Sequence, residues 1–199
     1  VNDAPTASNN TVTTNEDTTY TFTASDFGFS DVDGDTLSSV TVSALSGSDG
    51  TFKLNGVAIT GSTSVTKTQI DSGLLTFVPD SNENGSSYNT FTFTVNDGTT
   101  DSASSYTMTV DVTAVNDAPT ASNNTVTTNE DTDHTFAASE FGFTDVDGDS
   151  LDHVSIETLP SNGTLLLSGS AVSAGDQISA ANISNLVFRP AANANGASY

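Results

Sequence analysis

Cysteine and tryptophan are absent from this chain of 199 residues, and basic side chains are nearly so. Without cysteine the chain has no disulfides, no thiolate metal ligands and no cysteine nucleophile. No apolar run approaches the roughly 20 residues of a membrane-spanning helix, so no membrane insertion is expected in this segment. The chain also lacks an initiator methionine and a basic, apolar leader, and we expect it to be an excerpt of a longer chain.

The charge balance is strongly acidic. Lys53, Lys67 and Arg189 stand against 25 Asp and Glu residues, for a formal charge of -22. Nucleic acid and anionic membrane surfaces are therefore poor partners, because both are bound through Lys and Arg. Self-repulsion of this size has to be screened by salt or neutralised by bound cations.

Short runs rich in Thr and Val, separated by Gly, Asn, Asp and Ser, are typical of an all-β protein. Period-two alternation predicts half-buried strands at residues 18–24, with Tyr20 and Phe22 on one face, and at residues 89–96. About seven antiparallel strands are expected in the first ~110 residues, as in an immunoglobulin-like sandwich. A short helical turn near residues 25–29 is the only helix that the pattern suggests.

The chain repeats with a period that fits one small domain. Residues 1–18 and 115–132 are identical, and Asn116 follows Asn2 by 114 residues. We predict one repeat over residues 1–114 and a second, incomplete repeat over residues 115–199 that contains strands one to five.

The second repeat has no counterpart of residues 91–115, which hold the last two strands of the first repeat. A sandwich without these strands exposes apolar surface and unpaired edges. Two interpretations stay open: the strands follow in the natural chain, which is the plainer one, or another chain supplies them by strand addition.

Acidic residues fall in loops at the two ends of the predicted sandwich. With an odd number of strands the chain enters at one end and leaves at the other. The loops after strands two and six then lie at the entrance, and those after strands one and five at the exit. The entrance group, beside Asn2, is Asp3, Asp31, Asp33, Asp35 and Asp97. The group predicted at the junction of the repeats is Glu16, Asp17, Glu83, Asn116, Asp117, Asp145, Asp147 and Asp149.

Carboxylates gathered in this way repel one another, and the chain has almost no Lys or Arg to pair with them. Ca²⁺ is the predicted cofactor because it takes roughly six to eight oxygen ligands. Zinc prefers Cys and His, and magnesium resists losing its waters. The competing interpretation is a set of solvated acidic turns without metal, since Asp-Gly and Asn-Gly are common turn formers.

Some residues stand outside this acidic pattern. His134 and His153 replace Tyr20 and Ser39 of the first repeat, and we predict that both are surface residues. The segment Phe27-Gly28-Phe29 is predicted to fill the core, with an aromatic platform for sugar as the alternative. Nothing is similar to a nucleophile elbow, and chance pairs of acids are inevitable among so many, so no catalytic residue and no enzymatic activity are predicted.

Taken together, several motifs resemble the bacterial cadherin-like tandem repeats of large secreted Gram-negative adhesins. They are the linker Asn116-Asp117-Ala118-Pro119, the early Glu16, the loop Asp31-x-Asp33-Gly34 and the segment Val95-Asn96-Asp97-Gly98. The resemblance covers the whole chain and implies Greek-key sandwiches with calcium at the junctions between domains. Carried over by position, it implies a junction site formed by Glu16, Glu83, Asn116, Asp117, Asp145 and Asp147. It implies an equivalent site toward a preceding repeat formed by Asp3, Asp31, Asp33 and Asp97.

The function expected from the sequence is mechanical. The chain is interpreted as a calcium-stiffened extender of an extracellular adhesin, secreted or attached to the cell surface, whose partners are neighbouring repeats of the same chain. It would hold a distant binding region away from the cell in adhesion and biofilm formation. One alternative is a module that binds cell-surface or extracellular polysaccharide, in a surface protein or a polysaccharide-degrading enzyme. Another is a filament subunit that self-associates by strand exchange.

Overall fold

The computed structural model describes residues 1–46 and 49–196. The chain divides into two compact units, Val1–Val115 (unit 1) and Asn116–Tyr199 (unit 2). The last residues of the expected second repeat, 197–199, lie outside the described part of the chain.

Unit 1 is a sandwich of two β-sheets. Its strands are β1 (Asn10–Asn15), β2 (Tyr20–Thr21), β3 (Ser39–Ser46), β4 (Thr51–Leu54), β5 (Val57–Ala58), β6 (Thr63–Thr66), β7 (Leu75–Val78), β8 (Gly85–Asn96) and β9 (Tyr106–Thr113). A 3₁₀ helix covers Ala24–Phe27, and a short α-helix, α1, covers Lys67–Asp71. One sheet has the strand order β1-β9-β8-β3-β6, and the other has the order β2-β7-β4-β5. The all-β sandwich is therefore confirmed.

The strand count and one strand direction differ from the prediction. Unit 1 has nine described strands instead of about seven, because β5 folds back on β4 through Asn55 and Gly56, both at positive φ, and because β6 was not predicted. Asn-Gly at positive φ is the signature of a tight hairpin turn. The strands are not all antiparallel, since β1 pairs with β9 in parallel. In a sandwich whose strands alternate in direction and are odd in number, the first and last strands run in the same direction. Here these strands, β1 and β9, are neighbours in one sheet, so their pairing is parallel.

Helix α1 was also missed, although the sequence carries a signal for it. The Gln69 N–H donates to Thr66 Oγ1 at 3.2 Å, and the Thr66 N–H donates to Gln69 Oε1 at 2.9 Å. This reciprocal capping box, Thr-x-x-Gln, marks helix starts in sequences. The helix matters for packing because it places Ile70 in the core.

The core of unit 1 is built from aromatic side chains that meet across the two sheets. Phe22, which directly follows β2, and Phe52 of β4 contact Phe91 of β8 edge-to-face, with ring centroids 5.7 and 4.9 Å apart. Phe27 contacts Phe93 in the same way at 5.1 Å. Edge-to-face pairs of this kind add about 0.5–1.5 kcal/mol beyond the burial of their area. Strand β8 thus supplies one wall of the core.

Unit 2 repeats only part of this arrangement. Its strands are β10 (His134–Thr135), β11 (His153–Ser155), β12 (Thr164–Leu167), β13 (Ser170–Ala171), β14 (Gln177–Ser179) and β15 (Leu186–Arg189), with 3₁₀ helices at Ala138–Phe141 and Ala180–Asn185. One sheet has the order β10-β15-β12-β13, and β11 pairs with β14. No helix in the described part of either unit is long and apolar enough to cross a membrane.

Strand one of the second repeat does not form, so the prediction of strands one to five was wrong at this point. Residues 124–129 have the same sequence as β1, Asn10–Asn15, yet they are not a strand. In unit 1 this segment pairs with β9, and the 199 residues contain no counterpart of β9. Val12 is therefore buried in unit 1, whereas its counterpart Val126 is partly exposed.

This contrast predicts unequal effects of two matched substitutions. Val12→Ala should lower the free energy of unfolding of unit 1 by about 2 kcal/mol, because it removes two buried methyl groups. Val126→Ala, in identical local sequence, should change stability by less than about 0.5 kcal/mol. Urea unfolding followed by far-ultraviolet circular dichroism measures both effects, because strands of both units contribute to that signal. Equal effects of the two substitutions would contradict the role assigned to β9.

Candidate metal site

The loop of residues 31–35 folds around the carboxylate of Asp31. Asp31 Oδ1 accepts hydrogen bonds from the backbone N–H groups of Asp33 at 2.8 Å and Asp35 at 3.2 Å. Gly34 permits this tight turn because its φ is 86°, a conformation that L side chains rarely adopt. Asp31 Oδ2 is buried and has no hydrogen-bond partner within the described residues. Leaving a carboxylate oxygen buried without a donor or cation is costly.

The N-terminal segment is fastened to this loop and to the turn after β8. The Asp3 N–H donates to Asp33 Oδ2 at 2.6 Å, and Asn2 Nδ2 donates to Asp97 Oδ2 at 3.0 Å. The residues of the predicted entrance group therefore come together at one end of unit 1, although they are separated by up to 95 positions in sequence.

Asp97 also organises its own turn. Its Oδ1 accepts the N–H groups of Thr99 at 2.6 Å and Thr100 at 2.7 Å. The hydrogen bond from Asn2, followed by that from Thr100, holds the pKa of Asp97 below its ordinary value. The charged form of this carboxylate is thus the one that the fold stabilises.

Unit 2 repeats the entrance geometry. The Asp117 N–H donates to Asp147 Oδ2 at 2.7 Å, as Asp3 does to Asp33. Asp145 Oδ1 accepts the N–H groups of Asp147 at 3.0 Å and Asp149 at 3.1 Å. The side-chain amide of Asn116 donates to the carbonyl of Asp117 at 3.0 Å. The two units therefore hold the start of their chain in the same way.

The exit end of unit 1 is organised around Glu16, which is 3% exposed. Its Oε1 accepts the N–H of Val115 at 2.5 Å, and its Oε2 accepts Asn84 Nδ2 at 3.4 Å. Asp17 Oδ1 accepts the N–H of Asn82 at 3.2 Å. Glu16 and Asp17 thus connect the turn after β1 to the loop before β8, and Glu16 holds the last residue of the unit.

Glu83 lies in the same loop but is fastened to β8. The Tyr88 hydroxyl donates to Glu83 Oε2 at 2.9 Å, and the Asp80 N–H donates to the Tyr88 hydroxyl at 3.3 Å. Burial and then this hydrogen bond to Glu83 raise the pKa of Tyr88 to about 12. The Glu83 carboxylate is exposed and stabilises the loop in this structure.

The residues predicted as metal ligands offer the right type of atom for a hard cation, because carboxylate and amide oxygens are the ligands that Ca²⁺ prefers. Within residues 1–46 and 49–196, however, no three His, Asp or Glu side chains are grouped closely enough to hold a metal ion. Many of the predicted oxygens accept backbone N–H groups instead. Asp31 Oδ2 is the buried side-chain oxygen for which no hydrogen bond is found in the described part of the chain.

Three residues of this network were not predicted as members of it: Asn84, Tyr88 and Thr100. Asn84 donates to Glu16, 68 positions away in sequence, and Tyr88 donates to Glu83. Thr100 donates its N–H to Asp97, and its hydroxyl oxygen accepts Asn2 Nδ2 from 98 positions away. Asn84 directly follows Glu83, which the resemblance implies as a ligand, and this is the one signal that points to it. Tyr88 and Thr100 carry no comparable signal in the sequence.

The two histidines have different environments. His134 is partly buried, and its Nε2 lies 3.2 Å from Glu140 Oε2, so the prediction of a surface residue was wrong for it. In unit 1 the corresponding pair is Tyr20 and Asp26, with the hydroxyl 3.2 Å from Asp26 Oδ2. The shorter aromatic side chain, His134 in place of Tyr20, is thus paired with a longer acidic side chain, Glu140 in place of Asp26. His153 is exposed, as predicted.

Core filling is confirmed for the first aromatic residue of the Phe27-Gly28-Phe29 segment. Phe27 is fully buried, and Phe29 is partly buried and packs against the same core. Gly28 has a φ of 54°, and a Cβ at this position would lie 2.1 Å from Ser8 Oγ, which explains the glycine.

The family model described as "Bacterial Ig domain" matches residues 2–113 and 116–199. This match supports bacterial Ig-like repeats and does not distinguish cadherin-like adhesin repeats among them. Domains of this kind are typically non-catalytic repeat modules of extracellular or surface proteins. No curated protein matches the chain.

Similar solved structures include the endo-fucoidan hydrolase MfFcnA4 from glycoside hydrolase family 107 and a single-residue variant of it. Their sequence identities are 17% and 18%, and their TM-scores are 0.33 and 0.32. Each alignment covers 96% of this chain and 25% of the hydrolase, so the chain spans about a quarter of the length of these enzymes. TM-scores this low carry no argument about fold or activity.

The buried carboxylate at the exit end predicts a second matched pair of variants. Glu16→Ala should lower the stability of unit 1 by roughly 1–3 kcal/mol, because the Val115 N–H loses its acceptor. Glu130→Ala removes the counterpart in unit 2, which is exposed, and should change stability by no more than about 0.5 kcal/mol. Glu16→Gln keeps an acceptor oxygen and should fall between wild type and Glu16→Ala. Urea unfolding in chelator measures all three, and an unaffected Glu16→Ala would contradict the assignment.

The lowered pKa of Asp97 predicts how its contribution depends on pH. Since the folded-state pKa lies below the unfolded value, the stabilisation is fully present above the unfolded pKa and is lost as the pH falls through the folded pKa. The Asp97→Asn variant should therefore melt below wild type at pH 7, and the difference should shrink on acidification. Melting curves from pH 7 to pH 2 in chelator test this. A difference that is constant with pH would contradict it.

Proposed function

Because the chain belongs to the bacterial Ig domain family, as two tandem repeats, we propose that it is an extender segment of an extracellular surface protein that calcium stiffens at the ends of its domains. The observation that carries the proposal is Asp31 Oδ2, a buried carboxylate oxygen without a hydrogen-bond partner in the described chain. It lies in the loop to which the N-terminal segment is fastened. A cation there would satisfy the oxygen and join the segment to the domain.

The attachment of the linker supports a mechanical role. Residue Val115, at the end of unit 1, is held by Glu16 of that unit, and Asp117 is held by Asp147 of unit 2. Only Asn116 separates the two held residues in sequence. A linker whose backbone N–H groups are bound on both sides has little of the freedom of a Gly- and Ser-rich linker.

Calcium would act on these same loops. In the proposal, Asp31 and Asp33 hold an ion at the entrance end of unit 1 together with oxygens of Asn2, Asp3 or Asp97. The corresponding acids of unit 2, Asp117, Asp145 and Asp147, hold an ion at the entrance end of that unit, with Asn116 and Asp149 as the further candidates from the sequence. The ion supplies positive charge that the chain lacks, with its three basic residues against 25 acids.

The finer role of the segment is part of the same proposal. A rigid series of such repeats would hold a distant binding region of an adhesin away from the cell, in adhesion or biofilm formation. Its partners are the neighbouring repeats, and the binding target belongs to the distant region. The high negative charge supports a spacer, because it disfavours close association of like segments.

Calcium titration tests the proposal. A ligand that binds only the folded state adds RT ln(1 + [L]/Kd) to stability, about 2.7 kcal/mol at a hundredfold excess over Kd, so the melting temperature should rise with calcium. Asp31→Asn should weaken the calcium affinity of the entrance site at least tenfold, measured by isothermal titration calorimetry. Glu157→Gln, which removes one charge from an exposed acid outside the predicted groups, is the matched control.

Two results would contradict the proposal. The first is a calorimetric trace without calcium binding at millimolar concentrations, which would leave the acids as solvated turns. The second concerns stiffness: small-angle scattering of the full chain should give a larger and better-defined maximum dimension in calcium than in chelator. Binding without any change in that dimension would retain the metal and reject the mechanical role.

A further inference from the structure

The first and last strands of unit 1 are paired with each other along their length. Strand β1 runs parallel to β9, and Asn10 lies opposite Met108 at one end of the pair. At the other end, Asn15 lies opposite Thr113. Among the edge strands in the described part of unit 1, β1 is the longest, with six residues against four in β6 and two each in β2 and β5. Strand β1 is therefore fastened to its sheet along a longer line than the other three.

The parallel direction decides how a pull on unit 1 loads this pair. The chain enters β1 at Asn10 and leaves β9 at Thr113, and these two residues lie at opposite ends of the pair. A pull on the two ends of the unit therefore slides β1 and β9 past each other and strains their evenly spaced backbone hydrogen bonds together. In an antiparallel terminal pair the same pull would act at one end and open the bonds one after another.

Hydrogen bonds at both ends extend this pair beyond its two strands. At the start, Asn9 Oδ1 accepts the N–H of Thr107 at 2.8 Å. At the far end, Thr113 Oγ1 donates to Asn15 Oδ1 at 2.6 Å, and the Glu16 N–H donates to the Thr113 carbonyl at 2.9 Å. Sliding of β1 along β9 has to break these bonds in addition to those between the strands.

The core also resists sliding, because β1 turns buried side chains toward it. Val12 is 5% exposed and Thr14 is 8% exposed, whereas Thr11 and Thr13 are exposed. Side chains of a strand alternate between its two faces, so a shift by one residue would turn the exposed threonines inward and Val12 to solvent. The pair therefore has no neighbouring register in which the core stays filled.

We propose that unit 1 bears tension between its two ends and that the β1–β9 pair carries the load. Bearing tension in place rests on the extender function proposed above, because a segment that holds a binding region away from the cell is pulled whenever its target is pulled. The resistance of the pair to sliding is a property of the hydrogen bonds and packing of unit 1. Survival under load depends on how slowly a domain unfolds rather than on its equilibrium stability.

The proposal assigns different roles to two buried valines of the same sheet. Val12 lies in β1, and Val65 lies in β6 at the opposite edge. Under load the barrier is crossed when β1 has slid off β9 while β6 is still in place. A substitution speeds unfolding when its contacts are lost at the barrier and leaves the rate unchanged when they persist. Val12 should therefore control the rate of forced unfolding, and Val65 should not.

Single-molecule force spectroscopy of the full chain in chelator tests the proposal. The chain has no cysteine, so two introduced cysteines define the direction of the pull. Ala4→Cys with Ala114→Cys attaches the chain at opposite ends of the β1–β9 pair, and Ala4→Cys with Ser105→Cys attaches it at one end. All three positions are exposed, so the core is unaltered.

The opposite-end attachment should need at least about twice the unfolding force of the same-end attachment, because its hydrogen bonds are loaded together. Both pairs of attachment points enclose residues of unit 1 alone. Its unfolding is recognised by a gain in length of roughly 3.6 Å for each residue between them.

Matched substitutions separate this load-bearing role from general stability. With the opposite-end attachment, Val12→Ala should raise the unfolding rate at a given force at least about tenfold. Val65→Ala removes the same two methyl groups from a buried site and should leave that rate unchanged. Urea unfolding should show that both substitutions lower equilibrium stability.

Three results would overturn the proposal. The first is an equal unfolding force in the two pulling directions. The second is a Val65→Ala variant that unfolds under load as fast as Val12→Ala, which would make the force a measure of overall stability. The third is a difference between the two directions that appears only when calcium is added.

The outcome is distinguishable from that of the calcium titration. Equal forces in chelator would reject the load-bearing pair and leave calcium binding at the acidic loops as it is. A chain that binds no calcium, yet resists the opposite-end pull as expected, would reject calcium stiffening and retain the β1–β9 pair as the load-bearing element.

Discussion

The pairing of β9 with β8 on one side and with β1 on the other is the interaction on which the fold of unit 1 depends. Strand β8 carries the aromatic side chains that close the core, and β9 offers the edge on which β1 forms. The six residues Asn-Thr-Val-Thr-Thr-Asn occur twice and form a strand only where β9 is present. Intrinsic β-propensity is equal in the two copies, so the partner decides the structure. Backbone N–H and C=O groups need partners, and an isolated segment finds them in water.

The acidic loops show how a chain with so few cations satisfies its carboxylates. Lys67 pairs with Asp71 and Arg189 with Asp133, while many other acids accept backbone N–H groups. Asp31, Asp97 and Asp145 each shape the turn that contains them in this way. Hydrogen bonds to a charged acceptor are stronger than neutral ones, which makes these acids structural residues in their own right. A cation would therefore be added to loops that are already organised.

Much of the fold could be predicted from the sequence because its signals are local or repeated. Alternation at Phe91 and Phe93 predicted β8, the period of the repeat predicted two domains, and strand parity predicted that Asn2 and Asp97 meet at one end. The loss of strand one in unit 2 could not be predicted locally, because the strand depends on a partner about 100 positions away in sequence. The His134–Glu140 pair was missed because both residues differ from their counterparts in unit 1, Tyr20 and Asp26. The metal could not be decided from sequence, because an Asp-x-Asp-Gly-Asp loop uses the same carboxylates to cap a turn and to bind an ion.

The scarcity of basic residues also limits where trypsin-like proteases can cut the segment. Proteases that cut after Lys or Arg find only Lys53, Lys67 and Arg189, and these lie in β4, α1 and β15. Cleavage requires a stretch of chain to leave its secondary structure and enter the protease as an extended strand. Arg189 is further held by two hydrogen bonds to Asp133, at 3.0 and 2.7 Å. Resistance to trypsin-like digestion therefore follows from the same composition that makes the chain so acidic, and it lasts for as long as these elements stay folded.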